Sequence, residues 1–331
     1  MNEPTRDGTG EQLKLPDFAA IRAAAERIRP HVHRTPVMTS ASLDRMAGAS
    51  LYFKCENLQK VGAFKYRGAT NAVQSLTAEQ ASRGVATHSS GNHAAALALA
   101  AAARGCPAYV VMPTSAPPVK RAAVAGYGAR IVDCAPTLAA RESTLAEVVA
   151  ETGAHFVHPY NDPRVIAGQG TAALELLEEV PDLDAILAPV GGGGLMSGTA
   201  IAAQALRPGI RVLGAEPEGA DDAHRSLAAG RILPSEAPRT VCDGLLTSLG
   251  ELTFAILGRR LEAIVTVSDE AIIAALRHLM ERAKLVVEPS GAVPLGAVLE
   301  GKVDLGGLRV GLILSGGNLD LDRLPFGALP K

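Results

Sequence analysis

The sequence has no large excess of either charge, no long uncharged apolar run and no apolar segment near its start. Its formal net charge is −2 at pH 7, which gives no electrostatic reason to expect binding to nucleic acid or to an anionic membrane. The polar first residues argue against a secretory signal. The alanine-rich residues 94–103 are about half as long as a membrane span, so we interpret them as a buried helix. We therefore expect neither a nucleic-acid nor a membrane partner.

Closely spaced cysteines are also missing. The four cysteines, Cys55, Cys106, Cys134 and Cys242, lie far apart and form no CxxC pair. This spacing argues against a clustered-cysteine zinc site and against a disulfide framework. With no secretory signal, the expected compartment is the cytoplasm. The length of 331 residues suits two lobes better than one small core.

Apolar strands alternate with helices along most of the chain. Such continuous apolar strands indicate parallel sheets that helices cover on both faces, with ligands bound at the carboxyl ends of the strands. The predicted strands are 51–54, 85–87, 108–112, 130–133, 155–157, 185–190, 211–216, 264–267 and 310–314. The predicted helices include one capped by Asp17, then 64–76, 94–104, 118–126, 138–151, 168–180, one from near Leu195, and 269–282 capped by Ser268.

Lys65 lies where a predicted strand and loop lead into a helix, directly after Phe64. Most lysines are solvated surface charges, so the residue alone identifies nothing. A lysine held near apolar surface, however, loses proton affinity and can form a Schiff base. Pyridoxal phosphate needs such a lysine, together with a phosphate cradle and a partner for its ring nitrogen.

The glycine tetrad (Gly191, Gly192, Gly193 and Gly194) joins a predicted strand to a predicted helix. Without side chains, its backbone N–H groups can converge on an anion at the helix N-terminus. It matches neither a Walker loop nor G-x-G-x-x-G. Because four consecutive glycines are entropically costly, we favour phosphate binding over a simple tight turn.

Three further motifs end predicted strands. The serine loop, Ser89-Ser90-Gly91-Asn92-His93, offers hydroxyls and backbone donors that suit a substrate carboxylate, or is a plain capping turn. Ser315 begins Ser315-Gly316-Gly317-Asn318 and could hydrogen-bond a heteroaromatic nitrogen, although the motif could equally be a tight turn. The segment from Glu216 to Asp222 carries carboxylates that suit a hard divalent cation, or is a solvated acidic loop.

Together these motifs resemble the pyridoxal-phosphate enzymes of the tryptophan-synthase-β fold (fold type II), and within them the serine racemase and threonine/serine dehydratase family. The resemblance runs from about Asp17 to Leu321. Its other anchors are Phe64-Lys65-Tyr66-Arg67-Gly68, His158-Pro159-Tyr160, Ala167-Gly168-Gln169-Gly170-Thr171 and Asp243-Gly244. It implies an α/β fold with two domains, each an open, mostly parallel twisted sheet flanked by helices.

The resemblance also implies roles for individual residues. Lys65 would be the Schiff-base lysine, Phe64 a neighbour of the ring, and Asn92 the partner of the phenolic oxygen. The glycine tetrad and the Leu195 N–H would hold the phosphate, and Ser315 would face the pyridine nitrogen. The substrate carboxylate would be held by Ser89, Ser90, His93, Arg141 and Ser248. A divalent cation (Mg²⁺, Mn²⁺ or Ca²⁺) would bind Glu216, the Ala220 carbonyl and Asp222.

At the level of domains, the resemblance implies a large domain of residues 15–83 and 161–331. Residues 84–160 would form a small mobile domain, residues 1–14 a disordered tail, and the whole a homodimer. Ala94-Ala95 follows the serine loop where relatives often have glycine or alanine and then glutamine. The length leaves no room for a C-terminal regulatory domain, so control by isoleucine is not expected.

The implied activity is dehydration of L-serine or L-threonine to a 2-oxo acid and ammonia, with Lys65 removing the α-proton. Two alternatives within the same fold stay open. One is an amino-acid racemase in which Ser90 reprotonates the opposite face, and the other is a dehydratase of 3-hydroxyaspartate. A non-catalytic protein that keeps the cofactor pocket is a third alternative, against which the intact Lys65 argues.

Overall fold

A computed structural model describes residues 14–326, and within them helices and strands alternate as the sequence predicts. The helices of this part of the chain are α1 Phe18–Ile28, α2 Ala41–Ala47, α3 Lys65–Gln74, α4 Ala78–Arg83, α5 Asn92–Arg104, α6 Pro118–Gly126, α7 Leu138–Thr152, α8 Pro163–Glu179, α9 Gly194–Leu206, α10 Asp222–Ala229, α11 Glu251–Arg260, α12 Asp269–His278 and α13 Pro289–Leu299. The strands are β1 Val37–Met38, β2 Ser50–Cys55, β3 Val85–His88, β4 Ala108–Pro113, β5 Arg130–Cys134, β6 His155–Phe156, β7 Ala185–Pro189, β8 Arg211–Pro217, β9 Ala263–Val267 and β10 Arg309–Leu314.

The strands form two separate sheets. The larger sheet has the order β1-β2-β10-β7-β8-β9, and only the short β1 is antiparallel to its neighbour. The smaller sheet has the order β5-β4-β3-β6 and is parallel throughout. Helices cover both sheets, which confirms the predicted α/β fold.

Every strand of the smaller sheet falls between Val85 and Phe156, inside the predicted small domain of residues 84–160. The two ends of this segment meet, because the His155 N–H donates to the Gly84 carbonyl at 2.9 Å. Its mobility stays a prediction. Of the predicted tail, residues 1–13 lie outside the described part of the chain.

The core of the larger sheet is divided between its two faces by the alternation of strand side chains. In β7, Ile186 and Ala188 pack with α1, α8, α9 and α11, whereas Ala185 and Leu187 pack with α12 and α13. In β10, Ile313 faces the first group. Helices thus cover both faces of the sheet, and the loops that follow the strands lie at the edge formed by the carboxyl ends of the strands. Between residues 14 and 326, no helix is both long and apolar enough to span a membrane.

Two helices differ from their predicted bounds by more than two residues. Helix α8 begins at Pro163 rather than at residue 168, because the Asp162 side chain caps it and proline suits the first helical position. Helix α12 ends at His278, and a π-helical turn, Leu279–Ala283, follows where the sequence predicts continued α-helix. Both predicted caps, Asp17 and Ser268, accept the expected backbone hydrogen bonds.

A buried ion cluster (Lys54, Glu56, Arg67 and Glu175) holds α3 against β2 and α8. Arg67 donates to Glu56 at 2.7 and 2.9 Å and to Glu175 at 2.7 and 2.8 Å. Lys54 donates to Glu175 at 2.6 Å, and Lys54, Glu56 and Arg67 are all inaccessible to solvent. Each buried charge therefore has a partner of opposite charge. Arg67, at the centre of the cluster, follows Lys65 by two residues and so fixes the start of α3.

Candidate active site

The predicted cofactor residues on α3 and β10 lie beside each other. The Phe64 N–H donates to the Ser315 carbonyl at 3.0 Å, and Ala63 forms an isolated antiparallel bridge with Gly316. This pairing links the segment before α3 to the end of the central strand β10. It brings Lys65 and Ser315 to the same edge of the larger sheet, although they are far apart in the sequence.

Lys65 begins α3 and is partly buried. Its Nζ donates to the Pro159 carbonyl at 2.9 Å and lies 5.1 Å from the centroid of the Phe64 ring. Burial lowers the pKa of Lys65 to about 8, and the nearby Glu288 opposes this effect. An amine with this pKa is neutral far more often at pH 7 than an ordinary lysine, and a nucleophile or a general base must be neutral.

The serine loop follows β3, and α5 begins inside it at Asn92. The Asn92 Nδ2 donates to both carboxylate oxygens of Glu288, at 3.0 and 3.2 Å. Its Oδ1 accepts from Asn318 at 3.0 Å, and Asn318 also donates to the Val61 carbonyl at 2.7 Å. These bonds join the strand-end motifs of the two sheets. The Ser89 hydroxyl accepts a weak bond of 3.4 Å from the Gly91 N–H.

His93, the last residue of the serine loop, and His158 near it are both neutral at pH 7 because their pKa values are low. Burial, with Lys65 nearby, lowers the pKa of His93 to about 3, and burial lowers that of His158 to about 4. The His93 Nε2 lies 3.2 Å from the Val157 carbonyl, which can only accept, so Nε2 carries the proton. The predicted role of His93 in holding a carboxylate would therefore have to use its backbone N–H, at the start of α5, rather than a charged ring.

The glycine tetrad follows β7, and α9 begins at its last member. Three of its positions are closely covered by other side chains. A Cβ on Gly192 would lie 2.3 Å from the Tyr160 ring, and one on Gly194 would lie 2.6 Å from the Gln169 Oε1. Gly193 has a φ of 82° and packs against Leu249. Larger residues would therefore disrupt this turn, whose free N–H groups suit a phosphate.

The other two predicted substrate residues, Arg141 and Ser248, differ in whether their side chains have hydrogen-bond partners. The Arg141 Nε is buried and has no hydrogen-bond partner among residues 14–326. The Ser248 hydroxyl, in contrast, accepts from the Ser235 N–H at 2.7 Å. Arg141 lies close enough to His88 to lower its pKa together with burial, so it belongs to the same neighbourhood as the serine loop.

The predicted cation ligands lie at the end of β8. Glu216, Ala220 and Asp222 are all buried, and Glu216 accepts from the His224 N–H at 2.6 Å. Burial raises the pKa of Glu216 to about 8 and that of Asp222 to about 6. The Asp222 Oδ2 has no hydrogen-bond partner in the described structure. Two buried carboxylates with an orphaned oxygen suit a cation. Residues 14–326 contain no group of three or more His, Cys, Asp and Glu side chains placed to hold one.

Glu288 is a site residue that sequence reasoning missed. It precedes α13, is only 4% exposed, accepts from Asn92 and donates its N–H to the Gly316 carbonyl at 2.9 Å. Burial raises its pKa to about 7. A carboxylate before proline at the start of an apolar run was the available signal, because Glu288-Pro289 is a typical helix start. Its proximity to the site could be seen only from the fold.

Comparisons with known proteins show which proteins this chain resembles. A family model for pyridoxal-phosphate dependent enzymes matches residues 28–316. The β-hydroxyaspartate dehydratase of Paracoccus denitrificans is 53% identical over 95% of this chain and 100% of that protein. The serine racemase of Arabidopsis thaliana is 50% identical over 93% of this chain and 95% of that protein. Among solved structures, the threonine deaminase of T.th. superposes with a TM-score of 0.88 and is 49% identical, covering 92% of this chain and 99% of its own.

Proposed function

The chain belongs to the family of fold type II pyridoxal-phosphate-dependent enzymes, and on this premise we propose that it is a dehydratase of β-hydroxy-α-amino acids. L-Serine and L-threonine are the proposed substrates, and the products are a 2-oxo acid and ammonia. The observation that carries the proposal is the Lys65 amine, whose pKa is lowered to about 8 at the edge where the strand-end motifs meet. We also propose that the protein is a homodimer, and the molecular mass from analytical ultracentrifugation would test this.

The residues at this edge fit the cofactor. The glycine tetrad has no room for side chains at Gly192 and Gly194, and its N–H groups at the start of α9 suit the phosphate, with the Leu195 N–H beside them. Ser315 is buried at the end of β10, where it would meet the ring nitrogen, and Asn92 would meet the phenolic oxygen. Lys65 would hold pyridoxal phosphate covalently before substrate binds, and the cofactor would then withdraw electrons from the α-carbon of the bound substrate and make its α-proton acidic.

With substrate bound, the freed Lys65 amine would act as the base. Its Nζ would take the α-proton, which the lowered pKa makes possible near neutral pH. The Pro159 carbonyl, 2.9 Å away, fixes where this nitrogen lies. Phe64 packs against the lysine and excludes water from one side of it.

The substrate carboxylate is assigned to the serine loop and Arg141. The first N–H groups of α5 have no partner within the helix, and a helix N-terminus favours negative charge. The hydroxyls of Ser89 and Ser90 lie in the same loop and are partly exposed. The buried, unpartnered Nε of Arg141 supplies a further donor whose burial would be costly without an anion.

Arg141 also supports 3-hydroxyaspartate as a second candidate substrate. This amino acid carries a second carboxylate, and the Arg141 guanidinium would bind it while the N–H groups of the serine loop hold the first. The relative named β-hydroxyaspartate dehydratase is 53% identical to this chain. Racemisation is a further candidate, supported by Ser90 in the loop and by the relatives named serine racemase.

A divalent cation at Glu216, the Ala220 carbonyl and Asp222 completes the proposal. The ion would neutralise two carboxylates that the fold buries at the end of β8. Its ligands link β8 to α10, so its proposed role is to stabilise this part of the larger sheet.

The test is a panel of amino acids with the wild type and Lys65→Ala. We expect the wild type to form 2-oxo acid and ammonia from L-serine, L-threonine or L-threo-3-hydroxyaspartate. The amino acid with the highest kcat/KM is then the preferred substrate. Lys65→Ala should turn over none of them. Enantiomer exchange is followed in the same samples. Absence of a 2-oxo acid from every substrate, with the visible absorbance of the bound cofactor present, would overturn the dehydratase. Absence of that absorbance as well would favour a protein without this chemistry.

A further inference from the structure

Gln169 buries a complete side-chain amide that has no hydrogen-bond partner. It lies on α8, is inaccessible to solvent, and both its Oε1 and its Nε2 are unpartnered within residues 14–326. An amide has two donors and two acceptor lone pairs, and its burial without partners is unfavourable. Native proteins satisfy most such groups, so the amide requires a partner that is not part of the protein chain described here.

The amide lies against the start of α9. A Cβ on Gly194 would be 2.6 Å from the Gln169 Oε1, so the amide occupies the space beside the last member of the glycine tetrad. Its aliphatic part lies on the other side, where a Cβ on Gly68 would be 3.0 Å from the Gln169 Cγ. The side chain thus extends from the helix that begins at Lys65 to the turn proposed to hold the phosphate.

From this position the geometry points to Gln169 as a further cofactor-binding residue, whose amide NH₂ donates to the phosphate of pyridoxal phosphate. The inference rests on the proposed phosphate site at the glycine tetrad. A half-turn of the amide exchanges Oε1 and Nε2, and it costs little because neither atom has a partner to lose. A phosphate at the tetrad has more acceptor oxygens than the backbone N–H groups of one helix end can satisfy.

The packing of α8 on α9 accounts for the position of this polar side chain. Gly170, the next residue, packs directly on Gly198 of α9, with its missing Cβ 2.9 Å from the Gly198 carbonyl. This close approach brings α8 within reach of the phosphate turn. Gln169 therefore contributes a side-chain donor to a cradle that otherwise consists of backbone groups.

The test compares Gln169→Leu and Gln169→Glu with the wild type as apoenzymes. Affinities are measured by absorbance titration for pyridoxal phosphate and for pyridoxal, which lacks the phosphate. We expect Gln169→Leu to bind pyridoxal phosphate roughly 10- to 100-fold more weakly, as for a lost bond to a charged acceptor, and to bind pyridoxal as the wild type does. Gln169→Glu should bind pyridoxal phosphate more weakly still, because a carboxylate would face the phosphate.

A second readout separates this role from a structural one. The melting temperature of the Gln169→Leu apoenzyme should equal or exceed that of the wild type, because the substitution removes an unpartnered buried amide. Thr199→Val, which removes another buried unpartnered group from α9 away from the tetrad, is the matched control and should leave both affinities unchanged. If Gln169→Leu does not fold, Gln169→Glu carries the comparison.

Two results would overturn the inference. If Gln169→Leu lost equal affinity for pyridoxal phosphate and for pyridoxal, the amide would act on α3, which begins at Lys65, and not on the phosphate. A lower melting temperature with unchanged affinity for pyridoxal phosphate would mean that a buried water satisfies the amide. A separate result would show that the glycine tetrad does not bind the phosphate. In that case the wild type would bind pyridoxal as tightly as pyridoxal phosphate.

Discussion

The side-chain amide of Asn92 donates to both carboxylate oxygens of Glu288, at 3.0 and 3.2 Å, across the junction between the two sheets. Asn92 begins α5, which packs on the smaller sheet, and Glu288 directly precedes α13, which packs on the larger one. Because Glu288 is nearly inaccessible to solvent, its ionisation is coupled to the contact between these parts. This pair therefore makes stability at the site depend on pH.

The first prediction concerns Glu288→Gln in the apoenzyme. The pKa of Glu288 rises from 4.5 to about 7 in the folded state, so the folded protein keeps a proton that the unfolded chain loses. Its contribution to stability is full below the unfolded pKa and is lost as pH rises through about 7. Between about pH 5 and about pH 8, the stability of Glu288→Gln relative to the wild type should rise by up to about 3 kcal/mol.

Urea unfolding at both pH values measures this difference. Glu147→Gln, at an exposed position on α7, is the control, and its stability relative to the wild type should not change with pH. A pH-independent difference for Glu288→Gln would show that the carboxylate is ionised in both states.

The second prediction separates racemisation from dehydration. Racemisation needs a proton donor on each face of the planar α-carbon, whereas dehydration of an L-substrate needs only the Lys65 face. Ser90→Ala should therefore abolish L-to-D exchange and retain a substantial part of 2-oxo acid formation. Both rates are measured on L-serine by coupled assay and chiral chromatography.

Ser89→Ala is the comparison for that variant. Because Ser89 is assigned only to carboxylate binding, its loss should reduce both reactions together. Equal losses in Ser90→Ala, or a wild type without exchange, would refute the proton-donor role of Ser90 and leave a dehydratase.

The third prediction is that a divalent cation stabilises the protein. A metal that binds only the folded state adds about 2.7 kcal/mol when its concentration is 100 times its dissociation constant. Chelation should therefore lower the melting temperature, and Mg²⁺, Mn²⁺ or Ca²⁺ should restore it. Asp222→Asn should remove this response.

The neighbouring Asp221 provides the control, because its carboxylate pairs with Arg225 at the protein surface. Asp221→Asn should keep the response to chelation. If the wild type melts at the same temperature with and without chelator, the acidic segment does not bind a cation.

The fourth prediction concerns the buried ion cluster. Arg67→Met leaves Glu56 buried without its main partner, and breaking such a pair costs about 3–5 kcal/mol. The exposed pair of Arg34 with Glu178 is the contrast, and Arg34→Ala should change the free energy of unfolding by less than about 1 kcal/mol. Denaturant unfolding of both variants checks the prediction, and similar losses would contradict it.

Much of the fold could be predicted from local patterns. Strands such as β4 and β10 are short apolar runs bounded by turns, and their order with the helices indicates parallel sheets. Capping residues such as Asp17 and Ser268 marked helix starts correctly. Helix α13 was not predicted, because it is apolar on all sides and contains Pro294, so it shows neither a polar face nor an uninterrupted pattern.

The site was less accessible to sequence reasoning. Lys65 and the glycine tetrad carry local signals, but the pairing of Asn92 with Glu288 joins residues 196 positions apart. Gln169 was visible as part of a motif, yet nothing in the motif shows that its amide is buried without a partner. Such properties depend on which helices pack together, and this is decided by the whole chain.

The position of β10 affects how the protein can be made. The last strand within residues 14–326 lies in the middle of the larger sheet, between β2 and β7. Until β10 has been synthesised, β2 and β7 have no common neighbour, and their open edges can pair with other chains. Ser315 reaches its place, and the bridge between Gly316 and Ala63 forms, only when this strand is inserted. During translation, then, the nascent chain carries Lys65 long before β10 completes the active site.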